Sequence, residues 1–367
     1  MNKCLAARVA RRRLSSTTSS APAARAYCEN LVKTRDYENY ALAQLLPSRW
    51  PSGVGGGPRA AYVACRALNA EVASVRDAVA GNEATGKLRM QWWRDDIRRV
   101  VAEARGGSGG GPSSLAASAA ETPLARPTHY VLRELREHLP HCALSERWLL
   151  RGVDAREADL IQPQHTVSDL ESYSEATCSS QLYLALEALD MRGPQFRDGP
   201  SPWDAERLRC TLQAASHVGK AVGIVTALRG AFFVARESQT CALPRDPLET
   251  AGTTPRAAAE ILVSEFDLNA VGSGGGGGGP RDPAALREAV FAIATVAHAH
   301  IEHAKELRSD VLPEAQPVLI AHAIVAQHLE RLRQCDFELR DPRFLHVGNL
   351  AAQRALLWFT LFGGDGF

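Results

Sequence analysis

Asp154, Glu157 and Asp159 form a tight acidic cluster whose spacing is similar to a DxxE ligand set. Carboxylate oxygens are the ligands that hard cations such as Mg²⁺ prefer, so this cluster could hold a catalytic metal ion. Asp154 and Glu157 are three residues apart, a spacing that places both side chains on one face of a helix. Because Arg151 and Arg156 are interleaved with them, the pattern favours a solvent-exposed, salt-bridged face over a metal site.

A second group of potential metal ligands comprises His298, His300, Glu302 and His303. In a helix His300 and His303 share one face, whereas His298 and Glu302 share another. Neither face collects the three protein ligands that a zinc site needs. We therefore expect these side chains to be structural or exposed, and the sequence predicts neither a metal site nor a bound cofactor.

Glycine tracts lie at residues 53–57, 106–111 and 274–279. A glycine-rich loop can bind phosphate through its backbone N–H groups, but it then ends in GK[ST] between a strand and a helix, which none of these tracts does. Such tracts are typical of flexible spacers. We expect the two longer ones to belong to loop expansions near residues 105–122 and 271–281.

The elements that must position these side chains are predicted to be helices. Apolar residues recur three and four positions apart along residues 68–79, 93–100, 208–225 and 286–307, which is the spacing of one helix face. The last stretch follows Asp282-Pro283, a pair typical of a helix start. No stretch shows the alternation of a strand, and no internal repeat is visible. The fold class is therefore predicted to be all-α, a single multi-helix bundle.

Composition and charge exclude several classes of protein. The formal net charge of +1 lacks the basic excess of a nucleic-acid-binding protein. The eight cysteines include no CxxC pair, which is typical of reduced thiols and not of a disulfide framework or zinc site. The most apolar stretch, residues 218–235, is interrupted by Lys220 and Arg229, so no bilayer-spanning segment is predicted.

The N-terminus has a composition of its own. Residues 1–14 carry five basic side chains, a Ser/Thr-rich stretch follows, and the first acidic residue is Glu29. Such a segment is typical of a mitochondrial transit peptide and lacks the apolar region of a secretory signal. We expect a disordered transit peptide over residues 1–26 and a helical domain over residues 27–367. A disordered basic tail is the alternative.

Four stretches, in order along the chain, resemble the squalene/phytoene synthase family. The strings LNAEVASVRD and RMQWWRD within them resemble a non-catalytic mitochondrial branch of the family, in which Asn-x-Glu replaces the usual acidic start of the first motif. The resemblance implies an isoprenoid-synthase-like bundle. The stretches are residues 35–37 with 45–47, residues 62–77, residues 89–95, and residues 219–229 with Leu243-Pro244.

Catalytic members of this family bind a diphosphate through Mg²⁺ ions held by two Asp-rich helical motifs. The resemblance places the first motif on Asn69 and Ala73, and the second on Thr226 and Gly230. Residues 207–236 contain no Asp or Glu at all. The residual acid Asp77 lies one turn beyond the first motif. The resemblance therefore implies a pseudoenzyme with no catalytic, cofactor-binding or metal-binding residues.

The branch that these strings resemble contains assembly factors of mitochondrial respiratory complex I. The resemblance implies a non-catalytic assembly factor, peripheral to the matrix side of the inner membrane. Its partners would be complex I subunits or assembly intermediates. The family's substrate pocket is built from apolar helix faces, and a lipid or isoprenoid could occupy what remains of it, the relict cavity. One alternative is an active prenyl transferase for head-to-head condensation of isoprenoid diphosphates, with an atypical Mg²⁺ site at Asp77 and residues 154–159. Another is an accessory subunit of mature complex I.

Overall fold

The computed structural model describes most of the chain between residues 20 and 345. Residues 1–19 of the predicted transit peptide lie outside the described residues, as do the predicted loop expansions except at their ends. The described residues are 20–50, 56–79, 82–106, 129–142, 144–161, 166–191, 202–264 and 281–345, together with 353 and 357.

Within this part of the chain the regular secondary structure is helical, and the described residues include no strand. The first half comprises α1 (Ser20–Arg35), α2 (Tyr37–Ala43), α3 (Gly57–Ala73), α4 (Val75–Ala78), α5 (Glu83–Gly106), α6 (Tyr130–His138), α7 (Glu146–Ile161), α8 (Val167–Ser174) and α9 (Ser180–Ala188). A π-helical turn, Glu175–Ser179, joins α8 to α9. The second half comprises α10 (Ala205–Ser238), α11 (Arg245–Thr250), α12 (Pro255–Val263), α13 (Pro283–Glu306), α14 (Gln316–Leu319), α15 (Ala321–Gln334) and α16 (Pro342–Leu345). The predicted all-α class is confirmed.

The apolar stripes read from the sequence face the interior. Leu68, Val72, Val75 and Val79 are all buried, although a turn at Ser74 divides this stripe between α3 and α4. Burial of such a stripe, more than helix propensity, is what stabilises a helix in a folded protein.

The start of α13 also follows the prediction. The side chain of Asp282 accepts a hydrogen bond from Ala284 N at 2.9 Å, and Pro283 occupies the first turn. An N-cap of this kind satisfies a backbone N–H group that has no partner within the helix. Local sequence chemistry therefore sets this helix boundary.

Helix α10 runs through both hydrophobic cores. Its first half, from Leu208 to Val218, packs into a core built around α1, α3, α5, α6, α7 and α9. Its second half, from Ala221 to Ala235, packs into another core with α12, α13 and α15. The two cores are thus joined along a single 34-residue helix.

Helix α10 is also long and apolar enough to cross a membrane, whereas the sequence analysis predicted no such segment. Half of its most apolar 18-residue window is buried inside the protein. It packs against α8, α9, α12, α13 and α15. This packing is that of the central helix of a bundle, whose apolar surface is covered by neighbouring helices.

The N-terminal part of the described chain is integrated into the fold. Helix α1 begins at Ser20, so it includes residues 20–26 of the segment predicted to be a disordered transit peptide. Arg25 in this segment donates a hydrogen bond from Nε to Glu134 Oε1 at 3.1 Å. The seven cysteines among the described residues are free thiols, and five of them are buried, as predicted.

Candidate functional site

The first motif position lies at the C-terminal end of α3. Asn69 Oδ1 accepts a hydrogen bond from Arg156 Nη2 at 2.7 Å, and Arg156 Nη1 also donates to the carbonyl of Gly152 at 3.1 Å. Ala73, one turn further on, is exposed and ends the helix. The polar atom that could ligate a metal is therefore bound to a guanidinium, which carries a permanent positive charge.

The carboxylates near this position are neutralised by arginines. Arg76 Nη1 lies 2.6 Å from Asp159 Oδ2. Arg94 of α5 reaches Asp154 Oδ1 at 2.8 Å and also contacts Glu157. The prediction of salt bridges for this cluster is confirmed, but these partners come from α4 and α5 and not from the interleaved arginines of α7.

Asp77, the residual acid, is exposed on α4. The ion pairs found among the described residues do not include it, whereas its neighbour Arg76 pairs across to α7. The atypical Mg²⁺ site would need Asp77 to act together with Asp154 and Asp159, whose carboxylates are already held by arginines. Asp154 and Asp159 thus form ion pairs with arginines, whereas Asp77 is in none of the ion pairs found among the described residues.

Thr226 and Gly230, the positions that the resemblance assigns to the second motif, lie in the second half of α10. Thr226 is exposed, and its hydroxyl donates to the carbonyl of Val222 at 2.7 Å, a bond within its own helix. A Cβ added at Gly230 would meet no atom within 4 Å, so this position opens into free space. Next to it, Arg229 Nη1 lies 3.0 Å from Glu38 Oε2. This part of α10 presents a hydroxyl and a guanidinium, and no carboxylate.

The residues at these positions do not fit the paired Mg²⁺ ions of catalytic family members. Mg²⁺ is held by carboxylate and phosphate oxygens in near-octahedral geometry. Here the first motif offers one amide oxygen already bound to Arg156, and the second offers Thr226 and Gly230. No step of diphosphate ionisation can be derived from this arrangement of side chains.

A cluster that the sequence analysis missed lies between α10 and α13. One ring nitrogen from each of His217, His300 and His303 lies within 4.8 Å of the corresponding nitrogens of the other two. His217 Nδ1 is 2.9 Å from His300 Nδ1, and His300 Nε2 is 2.7 Å from Glu171 Oε1 on α8. The prediction that neither face of α13 collects three ligands holds for α13 taken alone, because the third imidazole comes from α10.

Burial and neighbouring charge favour the neutral imidazole at His217 and at His300. Burial, followed by the effects of His300, His303 and Lys220, lowers the pKa of His217 to about 4. Burial also lowers the pKa of His300, although the hydrogen bond with Glu171 opposes it. Neutral imidazole is the form that binds metal ions. Spacing within the sequence could not have predicted this cluster, because His217 and His300 are 83 residues apart in the chain.

A small open cavity adjoins the cluster. It has a volume of about 270 Å³ and is lined by His217, His303, Gln213, Glu306 and Leu307. His303 is exposed, whereas His300 is buried. The cluster is therefore accessible from solvent on its His303 side.

The fold of the chain is similar to those of two solved structures. The crystal structure of a dehydrosqualene synthase in complex with ligand matches it with a TM-score of 0.63, covering 93% of this chain and 97% of that one at 16% identity. Squalene synthase HpnC from Alicyclobacillus acidocaldarius matches with a TM-score of 0.59, covering 88% and 97% at 15% identity. The bundle is thus that of the isoprenoid synthases.

The sequence establishes the family itself. The squalene/phytoene synthase family model matches residues 32–350, and the chain belongs to this family. It is 29% identical to rat "NADH dehydrogenase (ubiquinone) complex I, assembly factor 6" over 88% of this chain and 77% of that protein. The human protein of that name is 28% identical over 86% and 76%, and the Drosophila melanogaster homolog 28% over 91% and 83%. The resemblance drawn from the sequence strings is confirmed.

Proposed function

We propose that the chain is a non-catalytic assembly factor for mitochondrial respiratory complex I, a pseudoenzyme on a squalene/phytoene synthase scaffold. The observation that carries this proposal is the hydrogen bond from Arg156 to Asn69, together with Thr226 and Gly230 in place of the second acidic motif. The similarity to proteins named as complex I assembly factors, which extends over most of the chain, supports it.

The physical argument concerns the charge that forms when a diphosphate leaves. Metal ions bridged to carboxylates stabilise that charge in enzymes of this kind. A guanidinium at hydrogen-bond distance from Asn69 repels a divalent cation, and the repulsion grows as the local dielectric constant falls. The motif face therefore opposes the metal ions that the chemistry requires.

The proposal includes a location and partners. The basic segment that precedes α1 would direct the chain into the mitochondrial matrix, where it would act peripherally at the inner membrane on complex I subunits or assembly intermediates. The apolar helix faces of the family remain buried in this chain. A lipid or isoprenoid in the relict cavity is part of the proposal.

Deletion of the gene tests this function. We expect native gels to show loss of complex I while cellular isoprenoid levels stay normal. Rescue with Asp77→Ala should be complete, because the proposed role uses no metal site. Rescue with Arg66→Met should fail, because this change leaves Asp36 without its buried partner. Normal complex I with depleted isoprenoids would overturn the proposal.

The active-transferase alternative has its own test. Purified protein incubated with labelled farnesyl or geranylgeranyl diphosphate and Mg²⁺ should give no condensation product. Turnover that disappears in Asp77→Ala would establish an atypical prenyl transferase instead. Native purification of complex I distinguishes an assembly factor from an accessory subunit. An assembly factor leaves with early intermediates, whereas an accessory subunit stays with the mature complex.

A further inference from the structure

Three imidazoles converge at one point between two long helices. His217 belongs to α10, and His300 and His303 belong to α13, which packs along α10. The ring centroid of His217 lies 5.2 Å from that of each of the other two. Imidazoles brought together in this way either share protons or share a cation.

Proton sharing accounts for only part of the arrangement. The Nδ1 atoms of His217 and His300 are 2.9 Å apart, so a direct hydrogen bond needs one of them to carry a proton. Glu171 accepts from Nε2 of His300, which leaves the Nδ1 lone pair of His300 directed toward His217. His303 takes no part in the hydrogen bond between His217 and His300, although one of its nitrogens lies within 4.8 Å of theirs.

A metal ion bound at this point would be coordinated by all three imidazoles. Zinc binds imidazole nitrogen at about 2.0–2.1 Å, which places tetrahedral ligand nitrogens about 3.4 Å apart. The separation of 2.9 Å between His217 and His300 is close to that value. The nitrogen of His303 lies at most 4.8 Å from the nitrogens of the other two histidines. Because His303 is exposed, its side chain can turn to shorten these distances.

The surroundings supply two further features of a metal site. A carboxylate that accepts a hydrogen bond from the distal nitrogen of a ligating histidine fixes its tautomer and its orientation, and Glu171 does this for His300. The adjoining cavity of about 270 Å³, lined partly by Glu306, leaves room for water or another ligand on the exposed side. Lys220 opposes any cation here. The choice among metals comes from the three imidazole donors, which suit transition metals better than hard ions such as Mg²⁺.

We propose that His217, His300 and His303 form a three-histidine site for a divalent transition metal ion, foremost Zn²⁺, with Glu171 orienting His300. The fourth coordination position faces the cavity and is open to solvent. The site joins α10 to α13 and shares no residue with the relict motif positions. It is independent of the proposed assembly role.

Zinc binding by the purified full chain tests this site. Isothermal titration with Zn²⁺ should give one ion per chain, and X-ray absorption should show three imidazole nitrogens at about 2.0–2.1 Å. Glu171→Gln should weaken binding by about 10–100-fold, the range measured for residues that orient a metal ligand. His303→Ala should weaken it further, and because His303 is exposed this variant keeps the fold.

The matched control is His298→Ala on the same helix. The side chain of His298 is 63% exposed and lies outside the cluster, so its removal should leave zinc affinity unchanged. Circular dichroism of each variant confirms that α10 and α13 remain folded. Absence of stoichiometric zinc binding by the wild-type chain, or equal losses in His298→Ala and His303→Ala, overturns the proposal.

Discussion

Helix α10 approaches the π-helical turn closely at Gly219. A Cβ at this position would lie 2.6 Å from the backbone nitrogen of Ser179, whereas ordinary van der Waals contact begins at 3.4 Å. The Cα and the side-chain Oγ of Ser179 lie closer still, so in Gly219→Ala the two segments must separate by more than about 0.8 Å. Because Cα and N belong to the backbone, rotation of the Ser179 side chain alone does not relieve the overlap.

Two opposing effects set the magnitude for Gly219→Ala. Alanine is favoured over glycine within a helix by about 1 kcal/mol. Overpacking of a close contact costs about 1–3 kcal/mol, and an overlap with backbone lies at the upper end. We expect a net loss of about 1–2 kcal/mol in the free energy of unfolding.

Gly230→Ala on the same helix is the matched control, since its Cβ meets nothing within 4 Å. It should stabilise the protein by about 1 kcal/mol. Urea denaturation followed by far-UV circular dichroism measures both changes as shifts in midpoint at constant slope. Shifts of the same sign and size in the two variants would refute the close-packing argument.

Two further predictions concern a cap and a titrating group. Thr166→Ala removes the side chain that caps α8 and should cost about 1 kcal/mol in urea denaturation, whereas Thr226→Ala, which loses a bond within its own helix, should cost less. Burial raises the pKa of Glu38, but the hydrogen bond with His328 and the charge of Arg229 outweigh it, so the pKa lies below its usual range near 4.3. The stabilisation from Glu38 is therefore full above about pH 4.3 and is lost as the pH falls through the lower folded value. Glu38→Gln should flatten the acid side of the stability profile, and an unchanged profile would contradict this assignment.

Local patterns in the sequence are sufficient to predict the long helices α5, α10 and α13. The cap at Asp282 depends on residues that are neighbours in the chain. Of the adjacent tryptophans in α5, Trp93 is buried and Trp92 is 40% exposed, as expected for neighbours on different sides of one helix. Such features follow from helix periodicity and local hydrogen bonding, which a single sequence displays.

The candidate sites required tertiary information. The partners of Asp154 and Glu157 come from Arg94 on another helix, and not from the arginines beside them in sequence. His217 joins His300 only because α10 packs along α13. Neither pairing follows from periodicity, because spacing within a helix carries no information about the side chains on the helix opposite.

The sharing of α10 between two cores has a consequence for the order of folding. The core that begins with Cys28 near the N-terminus also contains α10 and residues up to Ile324. Neither core can therefore close until nearly the whole chain is available, and contacts this distant in sequence slow folding. A chain entering a compartment N-terminus first would expose the apolar faces of α1 and α3 throughout its arrival. Chaperone binding during that interval is the expected requirement of this topology.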